Sequence, residues 1–342
     1  MSGFTRGRGA LLTALTAVIL LAGCGQRSEP ADPQAPTASA VPTESSAPSA
    51  TESGNPSPSP SPDQPTIADQ FVARASGDVR ADDLLQALAD SLKRTDSPEQ
   101  ADAMLRAMES YAVRKLPDAE NRLQADQVQQ QLSELTFPVT KEQIEDLKDD
   151  SLREDLLEIV SGGFKLDTTE GYVYPVVDYA ALSALASGAS AGMKDYLSLM
   201  AAETERKTAS DGGLVIPREE LLARALNAEN FVKQYPDAPE RDAVAQKFTN
   251  YLFIYLVGLN NTPVFDYETY HVLPEVRTEW EKTVADHPGT VTAKMTQRLL
   301  EILDKTKGAL FEKGKDGMQA DIAEVKAFRD GLQIAAKAAL SE

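Results

Sequence analysis

One cysteine, two histidines and one tryptophan in 342 residues leave little material for several kinds of chemistry. With Cys24 alone, no disulfide can close within the chain, so a disulfide-stapled scaffold is excluded. Histidine, the side chain that titrates near neutrality and a common metal ligand, occurs only as His271 and His287. Basic charge is short as well. Against 53 Asp and Glu stand 34 Lys and Arg, for a formal net charge of −19. No Lys/Arg cluster interrupts that excess, which argues against nucleic acid as a partner and sets the surface against anionic headgroups.

What the chain does hold begins at its N-terminus. Arg6 and Arg8 precede an apolar stretch from Ala10 to Ala22, and small residues lead on to Cys24. A cationic start, a short apolar core and a small-residue cleavage zone make a secretory signal. At roughly 1.5 Å per residue the stretch forms about 20 Å of helix, short of the roughly 30 Å of a hydrocarbon core. The four residues Leu21-Ala22-Gly23-Cys24 resemble the lipobox of bacterial lipoproteins. That resemblance implies a diacylglyceryl group on the Cys24 sulfur, cleavage before Cys24, and fatty acylation (palmitate-like chains) of the new amino group. Two or three acyl chains anchor a protein stably where a single chain does not. The expected location is therefore extracytoplasmic, with residues 1–23 removed and Cys24 lipid-anchored in the cell membrane.

From 24 to 66 the composition is Pro, Ser, Thr, Ala, Gln and acids, with Val41 the one large aliphatic residue and a run "NPSPSPSPDQP". Such a segment has too little apolar surface to offset its chain entropy, so a disordered linker biased toward polyproline II is expected. Its reach lies between roughly 35 Å as a coil and roughly 130 Å extended.

Residues 67–342 read as mainly α. Ser97-Pro98-Glu99-Gln100 has a cap, a proline at the first helical position and an acid in the first turn, and Met104, Leu105, Met108, Tyr111 and Ala112 follow at helical spacing. Thr140 and Ser151 look like two further caps, and Gly162-Gly163 ends the pattern. Helices are expected over 191–207, 218–234, 238–257, 274–286, 290–306 and 318–339. The exception is Phe164 to Tyr179, "FKLDTTEGYVYPVVDY", which is β-branched and aromatic around a Thr-Thr-Glu-Gly turn and predicts one small β-hairpin. The organisation expected is an N-terminal helical region, 67–162, and a C-terminal helical region with the hairpin, 163–342. Around Pro117, Pro236 and Pro288 the sequence reads helix, proline, turn, helix, and so resembles the hairpins of tetratricopeptide-like arrays. The spacing is not a multiple of 34 and the repeat signature is missing, which favours an irregular domain of antiparallel helix hairpins.

Candidates for catalysis are few. Gly188 to Gly192, "GASAG", matches the G-x-S-x-G elbow around Ser190, but that motif needs a preceding strand and a parallel sheet, and "AALSALA" precedes it. A turn between helices is the better reading, so no catalytic residue is assigned. His271 and Glu275 have metal-compatible spacing, but Pro274 separates them, and the glycine-x-histidine-x-x-glutamate motif of imelysin-like lipoproteins is missing. No D-x-D-x-D-G calcium loop occurs, so no metal or cofactor is expected.

The most distinctive segment is "KFTNYLFIYLVGLNNTPVFDYETYH". Tyr251 to Val257 is apolar or aromatic on every side and predicts a central buried helix. "GLNNTP" is a turn rich in side chains that bond their own backbone. Two readings stay open here: core packing, and an aromatic groove for a glycan or peptide formed by Tyr251, Tyr255, Asn260, Asn261, Phe265 and Tyr267. "GLNNTPVFDY" together with "EGYVYPVVDY" resembles a region, here about 164–306, of Gram-positive envelope lipoproteins without an assigned activity, and it carries no catalytic residues. The expected function is a lipid-anchored envelope protein whose helical body binds a protein or ligand. The alternatives are a cell-envelope hydrolase, which would need Ser190 or acids such as Glu170 and Asp178 to line a cleft, and a solute-binding lipoprotein, which would need two α/β lobes.

Overall fold

The computed structural model describes residues 64–341, so, up to residue 63, the stretches read as a signal and a linker, with Cys24, lie outside the described residues. Helix α1 (Ile67–Ala75) starts where Thr66 and Asp69 close a reciprocal capping box, so Thr66 belongs to the folded body rather than to the linker. Helices α2 (Ala81–Leu92), α3 (Pro98–Leu123), α4 (Asp126–Leu132), α5 (Lys141–Glu145) and α6 (Asp150–Ser161) follow. Ser97 caps α3 with Pro98 at its start, and Met104, Leu105, Met108, Tyr111 and Ala112 are buried along one face. Thr140 caps α5 through the Gln143 amide.

Two expectations in this half need correction. Asp149, not Ser151, caps α6, its carboxylate accepting from the Leu152 amide at 3.1 Å. A charged acceptor at that position also meets the positive end of the helix dipole, and Ser151 falls within the first turn. Pro117 does not end a helix: α3 runs through it to Leu123. Proline inside a helix costs about 3 kcal/mol. Here Pro117 and Val113 face solvent, so water reaches the carbonyl left without a donor, while Tyr111 and Ala112 before it and Ala119 and Leu123 after it are held in the core.

Strands β1 (Phe164–Thr169) and β2 (Tyr172–Val177) form the expected antiparallel hairpin, paired from Phe164↔Val177 to Thr169↔Tyr172. Glu170 and Gly171 turn it at positive φ, 49° and 81°, as a two-residue loop with matching twist requires. The remainder is α7 (Tyr179–Leu185), α8 (Ala191–Glu205), β3 (Ala209–Ser210), β4 (Gly213–Leu214), α9 (Arg218–Gln234), α10 (Arg241–Val257), β5 (Gly258–Leu259), β6 (Thr262–Pro263), α11 (Pro274–Asp286), α12 (Val291–Lys305), β7 (Phe311–Lys313), β8 (Gln319–Asp321) and α13 (Ala323–Ala339).

The fold is mainly α, with consecutive helices α7 and α8, α9 and α10, and α11 and α12 packed as hairpins and α13 laid against α10 and α12. The single predicted β element becomes four separate two-stranded antiparallel hairpins among the described residues. The added three are only two or three pairs long, too short for alternation to register in sequence. Their turns were the available signal, for example Asp211-Gly212, where both residues take positive φ. The hairpin β7–β8 also displaces the expected start of the last helix from 318 to Ala323.

One apolar core runs through the body from Ala68 to Leu340, with Trp280, Tyr255, Phe231 and Phe248 fully enclosed. It is also pinned by a buried acid. Glu229, on α9, is 2% exposed and accepts from the Val291 amide at 2.5 Å, the Thr292 amide at 2.9 Å and the Thr292 hydroxyl at 2.8 Å. Among the described residues no helix is long and apolar enough to cross a membrane.

Candidate functional site

The site is built around the end of α10. Gly258 leaves that helix at φ 80°, where an added Cβ would stand 2.9 Å from the Val264 amide nitrogen, so only glycine lets the chain fold back this tightly. The hairpin β5–β6 that follows is fastened to β3–β4. The Asn261 amide donates to the Gly212 carbonyl at 2.9 Å, the Asn261 side chain to the Asp211 carbonyl at 2.5 Å, and the Leu214 amide to the Thr262 hydroxyl at 3.0 Å. Asp266 then accepts from the Glu268 and Thr269 amides at 3.1 and 2.8 Å, tightening the loop that presents Tyr267.

A cavity of about 320 Å³ opens between this hairpin, α12, β7–β8 and α13. Leu256, Val264, Leu299, Leu310, Val325 and Phe328 make its apolar floor, all of them buried. Phe265 stands at the centre of an aromatic wall, edge-on to Tyr267 at 4.9 Å and tilted against Phe311 at 5.0 Å. The polar lining is Asn260, Tyr267, Gln319 and Arg329. The Tyr267 hydroxyl donates to the Asn260 carbonyl at 2.8 Å, which holds a ring that is otherwise 53% exposed. Arg329 lies 5.4 Å above the Phe311 ring and pairs with Asp321 at 3.0 Å.

Of the six residues read as a groove, Asn260, Phe265 and Tyr267 meet at this cavity. The other three lie elsewhere. Asn261 holds the two hairpins together, as described above. Tyr251 donates its hydroxyl to Glu203 at 2.9 Å, and Tyr255 shares a hydrogen bond with Thr283 at 2.8 Å. Burial pushes both phenols above their ordinary range, with the Glu203 charge adding to it at Tyr251. Both belong to the enclosed helix. Sequence reasoning missed Phe311, Gln319, Phe328 and Arg329, which reach the site from segments more than forty residues downstream and share no local pattern with "GLNNTP".

The residues considered for chemistry are engaged in other ways. Ser190 caps α8 through the Met193 amide, and its hydroxyl donates to buried Asp102 at 2.6 Å. Asp178 caps α7 through the Ala181 amide, and Glu170 sits in the β1–β2 turn. His271 pairs in an isolated bridge with Ala309, Glu275 lies exposed in the first turn of α11, and His287 closes that helix. Among the described residues no group of three or more His, Cys, Asp or Glu is placed to hold a metal ion.

No family model, curated protein or solved structure matches the chain. The chemistry of the cavity is thus what its own side chains supply: apolar contact below, aromatic edges at one side and amide hydrogen-bonding groups at the mouth. Two other polar clusters gather around buried or half-buried carboxylates, the second leaving the Arg224 Nε without a partner among the described residues. Glu109 accepts from the buried Tyr179 and Tyr196 hydroxyls, whose ionisation is pushed up first by burial and then by that carboxylate. Glu203 accepts from the Thr208 amide and hydroxyl, Tyr251 and Arg224. Burial alone would raise the Glu203 carboxyl, but the bonds from Thr208 and Tyr251 outweigh it and hold the group below its usual range.

Proposed function

We propose that this chain is an extracytoplasmic lipoprotein of the bacterial cell envelope, tethered to the membrane through acylated Cys24, whose helical body binds a ligand without transforming it. The anchor rests on the apolar stretch from Ala10 to Ala22 and the Leu21-Ala22-Gly23-Cys24 box that follows it. The binding role rests on one observation: a cavity of about 320 Å³ with a continuous apolar floor and a small polar mouth. That volume falls at the lower end of the range in which small-molecule sites occur, roughly 300–1,000 Å³, and the division into apolar floor and few polar groups is their usual composition.

Two experiments test the two halves. Mass spectrometry of the protein from its native host is expected to find a mature chain that starts at Cys24 and carries fatty acyl mass; a different start, or no such mass, refutes the anchor. For the binding role, the body is mixed with an organic extract of the host envelope and observed by native mass spectrometry. The wild type is expected to carry a non-covalent adduct that a Val325→Trp variant, with the cavity filled, lacks. Equal adducts on both would refute binding at this place.

A further inference from the structure

From the charge pattern of this cavity we infer that its ligand is an uncharged amphiphile, a short alkyl or acyl chain bearing a hydroxylated, sugar-like head. The inference rests on the binding role given above and specifies its ligand. At roughly 30 Å³ for each water-sized unit, a cavity of about 320 Å³ admits on the order of ten non-hydrogen atoms. Leu256, Val264, Leu299, Leu310, Val325 and Phe328 offer those atoms no hydrogen bond, so an alkyl chain is what they accommodate.

The head is selected by what the mouth leaves available. Arg329 is the one charged residue in the lining. Its guanidinium is already shared between Asp321 at 3.0 Å and Asp330 at 3.7 Å. An anionic head would compete with two carboxylates for that cation, on a chain whose net charge is −19. A cationic head would enter beside the same guanidinium, which stands 5.4 Å over the Phe311 ring of the wall and repels a second positive charge. The groups without partners are neutral. The side-chain amides of Asn260 and Gln319 are exposed and hydrogen-bond to no other described residue. Each amide brings two donor hydrogens and one acceptor oxygen, and the Tyr267 oxygen keeps a lone pair while donating to Asn260. Adjacent hydroxyls, which both donate and accept, match that set. The mouth is also held in place beforehand, because Asn261 and Thr262 fasten its hairpin to β3–β4, which limits the ordering cost of binding.

Calorimetric titration of the body, residues 64–342, tests this, since the described residues 64–341 form one compact unit with a core of their own. The probes are octyl β-glucoside below its micelle-forming concentration, its heptyl and hexyl homologues, and octanoate and octyltrimethylammonium as charged heads on the same chain. The glucoside is expected to bind, weakening about fourfold for each methylene removed. Both charged probes should bind at least tenfold more weakly. Val325→Trp should abolish glucoside binding, and Asn260→Ala with Gln319→Ala, at exposed positions that leave the fold alone, should weaken it at least tenfold. A charged probe that binds as tightly as the glucoside, and is lost in Val325→Trp, overturns the ligand class while the cavity stands. No binding by any probe, or binding indifferent to Val325→Trp, overturns the cavity with it. If Val325→Trp fails to fold, wild-type affinity in the Asn260/Gln319 double variant overturns the inference by itself.

Discussion

Replacing Glu229 with alanine removes the acceptor that closes the first turn of α12, and its cost can be worked from the bonds it makes. That turn has four amides without partners in the helix. Thr290 settles two, its hydroxyl accepting from the Ala293 amide at 3.0 Å and its own amide donating to the His287 carbonyl at 3.3 Å. Glu229 takes the other two, Val291 at 2.5 Å and Thr292 at 2.9 Å, and both lie in the interior. Each buried donor left unpaired costs about 1–3 kcal/mol. Even allowing for the burial penalty of the lost carboxylate, Glu229→Ala is expected to destabilise the body by about 3–5 kcal/mol. Glu229→Gln keeps one acceptor oxygen and should cost roughly half as much. Lys233→Met removes only the partly exposed ion-pair partner of Glu229 and should cost less than about 1 kcal/mol. Urea unfolding of the body, followed by Trp280, measures all three: it is the chain's one tryptophan, fully buried on α11 beside α12. A Glu229→Ala cost below about 1 kcal/mol, or a Lys233→Met cost equal to it, would refute this account of the α9–α12 joint.

Three further outcomes are expected. Gly258→Ala should cost about 1–3 kcal/mol from a backbone conformation (φ 80°, ψ −171°) essentially reserved to glycine, with the contact to the Val264 amide added, and should weaken octyl glucoside binding because the mouth hairpin shifts; calorimetry and a melting curve measure both. Glu203 has a folded-state ionisation below its unfolded value near 4.3, so its stabilisation is complete above about pH 5 and lost as pH falls through the lower, folded value. The stability gap between wild type and Glu203→Gln, read by urea midpoints, should therefore shrink on acidification, and a gap that widens would contradict it. Ser190→Ala should cost about 1–2 kcal/mol by removing the α8 cap and the donor to Asp102, and should leave ligand affinity unchanged; a lost affinity would make Ser190 more than a cap.

Legibility followed range along the chain. The caps at Ser97 and Thr140, the β1–β2 hairpin and the buried helix at Tyr251–Val257 were readable because cap, turn and periodicity involve neighbours a few residues apart. Ser151 was misplaced by two residues because Asp149, Asp150 and Ser151 are three good capping side chains in a row, and only backbone geometry chooses Asp149. Pro117 misled because proline's effect depends on whether its turn faces water, which a local pattern does not state. In the candidate site, Asn260, Phe265 and Tyr267 were visible as unusual residues in an unusual turn. Tyr251 and Tyr255 looked the same in composition but are turned inward, to Glu203 and Thr283.

The amino-acid sequence by itself determined the local matters: which segments coil, where their caps and tight turns fall, and how acidic the chain is. Its only thiol stands in a lipobox-like context, on which the proposed tether depends. Tertiary structure alone decided that the end of α10 meets α12, β7–β8 and α13 around a cavity, that Asn261 is a fastener while Asn260 is free, and that Arg329 is neutralised by Asp321. The physical reason is that caps and turns are settled by bonds within a few residues. A cavity is the space left over when distant apolar faces pack, and no short stretch of chain encodes that remainder.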